Sequence, residues 1–159
     1  MSTAGPDADA PKVRDARTDD LAWLAEGALA MAWETERKRL DGGTVRAGIA
    51  AGLADPAKAR YFVAERGGAR AGTLMLTGEW SDWRNGAWWW IQSVYVMPAH
   101  RRTGVYAALH RHVEAQAREA AGVIGLRLYV EHENAAALRT YRALGMRDAG
   151  YRIYEVELS

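Results

Sequence analysis

The sequence predicts an α/β fold of the α+β kind, with helices and strands interleaved along one chain of 159 residues. Two patterns predict it. Apolar residues recur at helical spacing in several stretches, and alternating or continuous apolar runs lie between them. A chain of this length buries roughly 70% of its unfolded surface, so one core suffices. We expect a disordered tail over 1–12, which carries prolines and aspartates, and a single domain over 13–159.

The N-terminal part predicts a strand followed by two helices. The strand covers 13–16, and Thr18 then caps a helix that runs towards Arg39 or Leu40. Apolar residues three and four positions apart along this helix give it one buried face. Thr44 caps a second helix over 45–53, which is ended by Asp55 and Pro56.

The rest of the chain alternates between strands and helices. Two adjacent glycines, Gly67 and Gly68, predict a tight turn between antiparallel strands. The continuous apolar run over 88–96 is typical of a strand that is buried on both faces. The predicted elements are strands over 61–66, 70–79 and 88–96, a helix over 104–121, a strand over 126–130, a helix over 135–144 that ends at Gly145, and a last strand over 151–158.

Composition excludes several classes of function. The 21 basic residues nearly balance the 20 acidic ones, so the net charge of +1 gives no case for a nucleic-acid partner. The chain has no cysteine, which excludes disulfides and cysteine metal sites. His110 and His112 point in opposed directions on a helix, so we expect no metal. No apolar run reaches the roughly 18 residues of a membrane span, and we expect a cytoplasmic protein without a membrane partner.

The stretch from Val94 to Tyr106 has the order of residues that builds a phosphate site from backbone. A strand ends at a proline, two arginines follow, and Gly104 opens a helix. The first turn of a helix has N–H groups without intrahelical partners and a partial positive charge. Gly104 lets the chain approach a ligand closely, and Arg101 and Arg102 can bind phosphate oxygens.

A second motif follows about thirty residues later. Asn134 stands at the predicted N-cap of a helix, where its side chain bonds a first-turn N–H. Tyr141 lies seven residues further on, two helical turns away on the same face. This spacing holds a phenol at a fixed distance from the start of the helix.

Together the two motifs resemble the GCN5-related N-acetyltransferase (GNAT) superfamily. The acyl-CoA loop of that family, Arg/Gln-x-x-Gly-x-Gly/Ala, is similar to Arg101-Arg102-Thr103-Gly104-Val105-Tyr106, although Tyr106 replaces a small residue. The second family pattern matches Asn134, Ala137, Tyr141, Gly145 and Met146. The resemblance implies a mixed, mostly antiparallel central sheet with a splayed central strand and helices on both faces.

The resemblance also implies the cofactor and the roles of its residues. Acetyl-CoA would be the co-substrate, with its pantetheine arm on the central strand and its pyrophosphate on the glycine loop. Tyr141 would be the general acid that protonates the leaving thiolate, a role that suits a phenol because it is uncharged at rest. The residues assigned to acetyl-CoA in this way are Val94, Tyr95, Val96, Arg101, Arg102, Thr103, Gly104, Val105, Tyr106 and Asn134.

The acceptor side of the site is predicted less directly. An attacking amine must lose a proton, and Glu79 ranks first as its base because neighbouring tryptophans would partly desolvate it. Polyamine acetyltransferases carry an acidic pair where this chain has Gln92 and Ser93, which argues against a long polycation. Asp82, Glu34 and Glu36 are the other candidate carboxylates. The residues predicted to contact the acceptor are Trp33, Glu34, Trp80, Asp82, Gln92 and Ser93.

The sequence thus predicts an acetyltransferase that acts on the primary amine of a small molecule. Two alternatives remain open at this stage, namely a protein or peptide acceptor and a non-catalytic module that binds acyl-CoA. The acceptor, the acyl chain length and the oligomeric state are not set by these motifs. A homodimer is expected from the resemblance alone.

Overall fold

The computed structural model describes residues 9–159, which fall into two compact units of the chain. The first unit ends at Leu128, and the second is Tyr129–Ser159. The first contains β1 (Lys12–Asp15), α1 (Leu21–Glu36), α2 (Gly42–Ala54), β2 (Arg60–Arg66), β3 (Ala69–Ser81), β4 (Gly86–Val96), α3 (Val105–Glu119) and β5 (Val123–Arg127). The second contains α4 (Ala135–Ala143). That 13–159 form one domain stays a prediction.

The sheet of the first unit has five strands in the order β1-β2-β3-β4-β5. The first three pairings are antiparallel, and β4 pairs with β5 in parallel. Gly67 and Gly68 form the predicted turn between β2 and β3 with positive φ angles of 57° and 78°. The predicted fold class, a mixed and mostly antiparallel sheet with helices, is confirmed.

Successive side chains of each strand point to opposite faces of the sheet, so both faces carry apolar residues. Helices cover both of these faces. On one face, α3 and the sheet share a core of nine buried residues that includes Phe62 and Leu74. On the other face, α1 and α2 enclose a smaller cluster with Tyr61 beside it. Each large apolar side chain that is fully buried contributes about 1.5–3 kcal/mol.

Several predicted boundaries are wrong for local reasons. The first helix ends at Glu36, short of Leu40, because Arg37 adopts a left-handed conformation with φ 55°. A short 3₁₀ turn occupies Thr18–Asp20 before the helix begins. The second helix is capped by Asp41, whose carboxylate accepts a bond from the N–H of Thr44, so Thr44 is not the cap.

The largest difference lies at the C-terminus. The strand predicted over 151–158 is absent, since these residues are exposed and form neither helix nor strand. Alternation of apolar residues is present there, but none of the described strands pairs with this segment. The preceding strand, predicted over 126–130, forms earlier as β5, directly after a turn at Gly122 with φ 77°. Residues 1–8 of the predicted tail lie outside the described part, and Lys12 already belongs to β1.

A buried carboxylate ties the start of α1 to the sheet. Asp20 has no exposed surface and accepts bonds from Arg14 at 2.8 and 3.0 Å, Arg70 at 2.8 Å and the N–H of Arg17 at 2.7 Å. These donors, Arg14 first among them, hold the pKa of the Asp20 carboxyl well below its usual range in spite of burial. The charge is therefore retained in the folded protein and is fully partnered.

We predict that Asp20→Asn lowers the free energy of unfolding at pH 7 by about 3 kcal/mol, because it leaves the arginines without their buried counter-charge. Asp19→Asn is the matched control, since the Asp19 side chain is 72% exposed. Urea unfolding of the three proteins measures the difference. Equal midpoints for Asp20→Asn and the control would contradict this role.

The same carboxylate gives a pH dependence of known sign. Because its folded-state pKa lies below the unfolded value of about 3.9, its contribution is complete above that value. It is lost as the pH falls through the folded-state pKa. Unfolding measured from pH 7 to pH 3 should show a constant difference in stability between the wild type and Asp20→Asn down to about pH 4, and a difference that narrows below it.

Candidate active site

Strand β4 carries a bulge near its C-terminal end. Met75 of β3 pairs with Gln92, whereas Thr73 pairs with Tyr95, so Ser93 and Val94 together oppose a single residue of β3. Ser93 adopts φ 49°, a left-handed conformation that costs a residue with a Cβ about 1–2 kcal/mol. A bulge of this kind bends the strand and re-aims the side chains that follow it.

The bulge moves the side-chain alternation of β4 by one residue. Ile91 belongs to the core under α3, and so do Val94 and Val96, which regular alternation would place on the opposite face. Tyr95 and Ser93 instead point towards α1 and α2, where they line a cavity. The extra residue therefore brings two polar side chains to the face of the sheet that α1 and α2 cover.

The parallel ladder between β4 and β5 ends well before β4 does. Its last pair is Trp90 with Arg127, while β4 continues to Val96. Over Ile91–Val96, no described strand pairs with the edge of β4 that faces β5. Backbone N–H and C=O groups at such an edge need another partner, and an extended ligand can supply one.

The chain then forms the predicted glycine loop and starts α3. Gly104 is the N-cap of α3 with φ 82°, and a Cβ built on it would meet no atom within 4 Å. The space in front of the first turn is thus open to a ligand. Arg102 is also left-handed, with φ 62°, which shapes the loop before the glycine. A helix start with this opening fits a pyrophosphate group.

Neighbouring elements anchor the loop. Arg66 at the end of β2 donates to the carbonyl of Thr103 at 3.2 Å, and the Thr103 hydroxyl donates to the carbonyl of His100 at 2.5 Å. Val105 is 2% exposed and packs on β3 at Gly72, where a Cβ would lie 2.7 Å from its side chain. The absence of a side chain at Gly72 therefore lets α3 begin close against the sheet.

Tyr106, the departure from the family pattern, does not point into the open space. Its ring packs against the buried core, and its hydroxyl lies 3.3 Å from Nδ1 of His110. His110 is 2% exposed, and burial lowers the pKa of its imidazole. The bulky residue is thus accommodated in the interior rather than at the phosphate position.

A hydrogen-bonded group of three residues joins the end of α1 to the end of β4. The hydroxyl of Tyr95 donates to one oxygen of Glu34 at 2.9 Å, and Arg101 donates to the other at 2.7 Å. Arg101 also donates to the carbonyl of Val96 at 3.0 Å. Arg101 first, and then Tyr95, lowers the pKa of the Glu34 carboxyl, while burial and that bond raise the pKa of Tyr95. Glu34 is ionised and balanced by Arg101.

The bulge forms one wall of a cavity of about 220 Å³ between the sheet and the helices α1 and α2. Ser93 and Tyr95 contribute from β4, and Gly48 of α2 stands with Ser93 at the exposed side. The remaining lining is mostly apolar. A larger, open pocket of about 400 Å³ lies near Arg14 and Arg70, whose charges are taken up by Asp20 and Glu65.

Most of the residues predicted to contact the acceptor are not brought to this cavity. Glu79 pairs with Arg127 at 2.6 Å and stands opposite Trp88, five residues before Ser93 on β4. That separation is about 16 Å along a strand. Trp80 is 65% exposed, and Asp82 lies exposed in the turn after β3. These positions do not favour Glu79 as the base of a reaction at the bulge.

The two remaining predictions on this side have other partners. Trp33 is 42% exposed, with the guanidinium groups of Arg37 and Arg39 over its ring at 5.4 and 5.0 Å. The amide of Gln92 donates to the hydroxyl of Thr77 across the sheet at 2.7 Å. Of the predicted acceptor residues, only Ser93 is found among those lining the cavity.

The second unit carries the second motif on α4. Asn134 is the N-cap as predicted, and its side-chain oxygen accepts a bond from the N–H of Ala137 at 3.1 Å. Tyr141 follows seven residues later, about 10 Å along the helix axis. Tyr141 is half-buried, and burial raises the pKa of its phenol. The phenol is therefore protonated at neutral pH.

Comparison with known proteins decides the family. A sequence model described as "Acetyltransferase (GNAT) family" matches residues 18–146. The chain belongs to the GNAT acetyltransferase family. It is therefore an acetyl-CoA-dependent N-acetyltransferase, and the resemblance of its motifs is confirmed. None of the curated proteins matches the chain.

Solved structures agree with this assignment. A possible acetyltransferase from Clostridium difficile 630 is 40% identical, with a TM-score of 0.86 over 94% of this chain and 98% of the other. A GCN5-related N-acetyltransferase from Ralstonia eutropha JMP134 is 23% identical, with a TM-score of 0.72 over 92% and 99%. A predicted acetyltransferase with acetyl-CoA from Clostridium acetobutylicum is 14% identical, with a TM-score of 0.72 over 92% and 96%. The last two share the fold.

The residues of this acetyltransferase fit the cofactor that its family uses. The free edge of β4 can pair with the amides of a pantetheine arm, and the open space at Gly104 admits a pyrophosphate. Within residues 9–159, no group of three or more histidines and carboxylates is placed to hold a metal ion. No helix in the same part of the chain has the length and hydropathy to cross a membrane.

Some site residues could not be found from the motifs. Gly72 and Arg66, which fix the glycine loop, lie on other strands and belong to neither motif. The cavity is lined from five elements of the chain, including Met31 of α1 and Met75 of β3. The sequence offers one signal for Gly72: a glycine within an otherwise apolar strand often marks a position where another element approaches the strand closely.

We predict that Gly104→Val weakens acetyl-CoA binding about tenfold or more, because a side chain would fill the space where backbone N–H groups meet phosphate. Gly122→Val is the matched control. Gly122 also has a positive φ of 77° with nothing within 4 Å, but it lies in the turn after α3.

Both variants should lose about 1–2 kcal/mol of stability from the left-handed valine. Only Gly104→Val should lose affinity in isothermal titration calorimetry with acetyl-CoA. An unchanged dissociation constant for Gly104→Val would remove the loop from the cofactor site.

Proposed function

We propose that this acetyltransferase moves an acetyl group from acetyl-CoA to the primary amine of a small molecule, by direct attack in a ternary complex. The observation that carries the proposal is the small, mostly apolar cavity of about 220 Å³ beside the β4 bulge, which is open on one side. A cavity of this size and lining can surround a small organic molecule, whereas a protein acceptor needs an open groove for an extended segment.

In this proposal, the first unit binds acetyl-CoA along the free edge of β4 and at the start of α3. Hydrogen bonds from backbone N–H groups of Val94–Val96 hold the pantetheine arm. An N–H group of the same segment stabilises the negative charge that develops on the thioester oxygen during attack. Arg101 stays with Glu34 and shapes the loop, so the phosphate contacts come mainly from the loop backbone.

The amine nitrogen attacks the thioester carbon, an amide bond forms, and the bond from carbon to sulfur breaks. The amine gives up a proton, and the departing thiolate takes one. We assign the second proton to the phenol of Tyr141, which is protonated at rest because burial raises its pKa. Asn134 caps the same helix and is proposed to contact the CoA moiety.

A thiol-release assay tests the proposed function. The chain contains no cysteine, so every free thiol that appears in a mixture of enzyme, acetyl-CoA and amine comes from CoA. Mass spectrometry of the amine should show one added acetyl group. Acetyl-CoA binding without thiol release from any small amine, together with acetylation of a peptide amine, would overturn the small-molecule assignment.

We predict that Tyr141→Phe lowers kcat by about 10²–10⁴-fold through loss of the proton donor. The dissociation constant for acetyl-CoA should stay within about twofold, because the ring remains. Tyr154→Phe is the matched control, since Tyr154 is 87% exposed in the same unit. Unchanged turnover of Tyr141→Phe at neutral pH would exclude Tyr141 as the acid.

A further inference from the structure

The chemistry of the cavity beside the β4 bulge is specific enough to indicate the class of acceptor. We propose that the acceptor has a compact apolar body, the size of a benzene ring with a short alkyl arm, and a single amine that enters uncharged. This inference rests on the function proposed above and deepens it.

The volume of the cavity limits the size of the acceptor. The cavity holds about 220 Å³. An apolar protein cavity of about 150 Å³ is enough to bind benzene, so a ring with a side chain of two or three atoms fills the larger volume. Drug-sized ligands need about 300–1,000 Å³, which excludes multi-ring sugars as fully enclosed acceptors.

The apolar lining of the cavity limits the polarity of the acceptor. Six apolar side chains from α1, α2 and β3 supply most of the wall, namely Leu24, Ala28, Met31, Val45, Ile49 and Met75. Methionine sulfur makes favourable contacts with aromatic rings, and two methionines on opposite sides adapt to a flat ligand. Burial of an apolar body against this wall is the main source of affinity.

The polar groups in the wall are hydroxyls, and some of them are already engaged. The hydroxyl of Thr73 donates to the carbonyl of Phe62 at 2.8 Å, and the hydroxyl of Tyr95 donates to Glu34. Burial also raises the pKa of Tyr61, so its phenol is neutral at pH 7. Among the described residues that line the cavity, none is charged at neutral pH.

An ammonium group in this cavity would have no counter-charge. Glu34 is the carboxylate tied directly to the wall, through Tyr95, and its charge is balanced by Arg101. Transfer of an unpaired charge from water into such surroundings is costly, so the neutral amine binds in preference. The neutral amine is also the reactive form, since only it has a free electron pair. Diamines and polyamines would bring a second cation that the wall cannot compensate.

The pH dependence of turnover separates this mechanism from catalysis by an enzymic base. We compare 2-phenylethylamine with its 2,2-difluoro analogue, which has nearly the same shape and a much less basic amine. If the neutral amine enters, kcat/KM rises about tenfold per pH unit below the pKa of each amine, and the inflection moves with the amine. One inflection common to both amines would reveal an enzymic base and overturn the uncharged entry.

A cavity-filling variant tests the location. Gly48 of α2 is one of the residues that line the cavity, and a Cβ built there meets nothing within 4 Å, so α2 accommodates Gly48→Leu and the added side chain stands at the cavity wall. We expect kcat/KM for 2-phenylethylamine to fall at least tenfold, with an unchanged dissociation constant for acetyl-CoA. Ala47→Leu adds similar bulk to an exposed position of the same helix and should behave as wild type.

A direct measurement of amine binding distinguishes the failure of this inference from the failure of the proposed function. Calorimetry with 2-phenylethylamine at high pH should show binding that Gly48→Leu abolishes. Binding without acetyl transfer would support the inference and contradict the proposed function. Faster acetylation of 1,4-diaminobutane than of 2-phenylethylamine would support the proposed function and overturn the inference. Equal kinetics of Gly48→Leu and wild type with the aromatic amine would also overturn it.

Discussion

The one-residue bulge at Ser93 and Val94 is the constraint on which the rest of the site depends. It reverses the alternation of β4, so that Val94 and Val96 join the core under α3 while Ser93 and Tyr95 face the helices α1 and α2. The β4–β5 ladder has already ended, which leaves one edge of the strand for an extended ligand. The same few residues therefore separate the edge suited to the cofactor from the cavity suited to the acceptor.

Packing and charge hold this arrangement from both sides. Gly72 lets α3 begin against β3, which brings the open helix start at Gly104 next to the end of β4. On the other face, Glu34 of α1 accepts hydrogen bonds from Tyr95 and Arg101. Its charge is balanced by Arg101, and these bonds hold the helix to the end of β4. The cavity beside the bulge, which we propose to hold the acceptor, is left with hydroxyls and apolar groups. An acetyltransferase with such a cavity is suited to a neutral, apolar amine.

The motifs predict the parts of the site that neighbouring residues in the sequence determine. The parts that depend on how distant segments pack together could not be predicted from them. The strand, glycine loop and helix of the cofactor site follow one another in sequence, and the cap by Asn134 is set by neighbouring residues. The bulge could not be seen, because the run over 88–96 is apolar throughout and hides its alternation. The tryptophan neighbours of Glu79 favour it as the base, yet the register of β3 places it about 16 Å from Ser93 along the strand. Residues 151–158 alternate between apolar and polar side chains but form no strand, so alternation without a partner strand is not sufficient to form one.

Hydrogen exchange of the backbone amides tests the central claim most directly, namely that the edge of β4 and the start of α3 together bind acetyl-CoA. Exchange is followed by mass spectrometry with and without saturating acetyl-CoA. We expect slower exchange in peptides that cover 94–96 and 103–107 when acetyl-CoA is bound. Unchanged exchange in both peptides, with protection confined to the open pocket near Arg14 and Arg70, would contradict it.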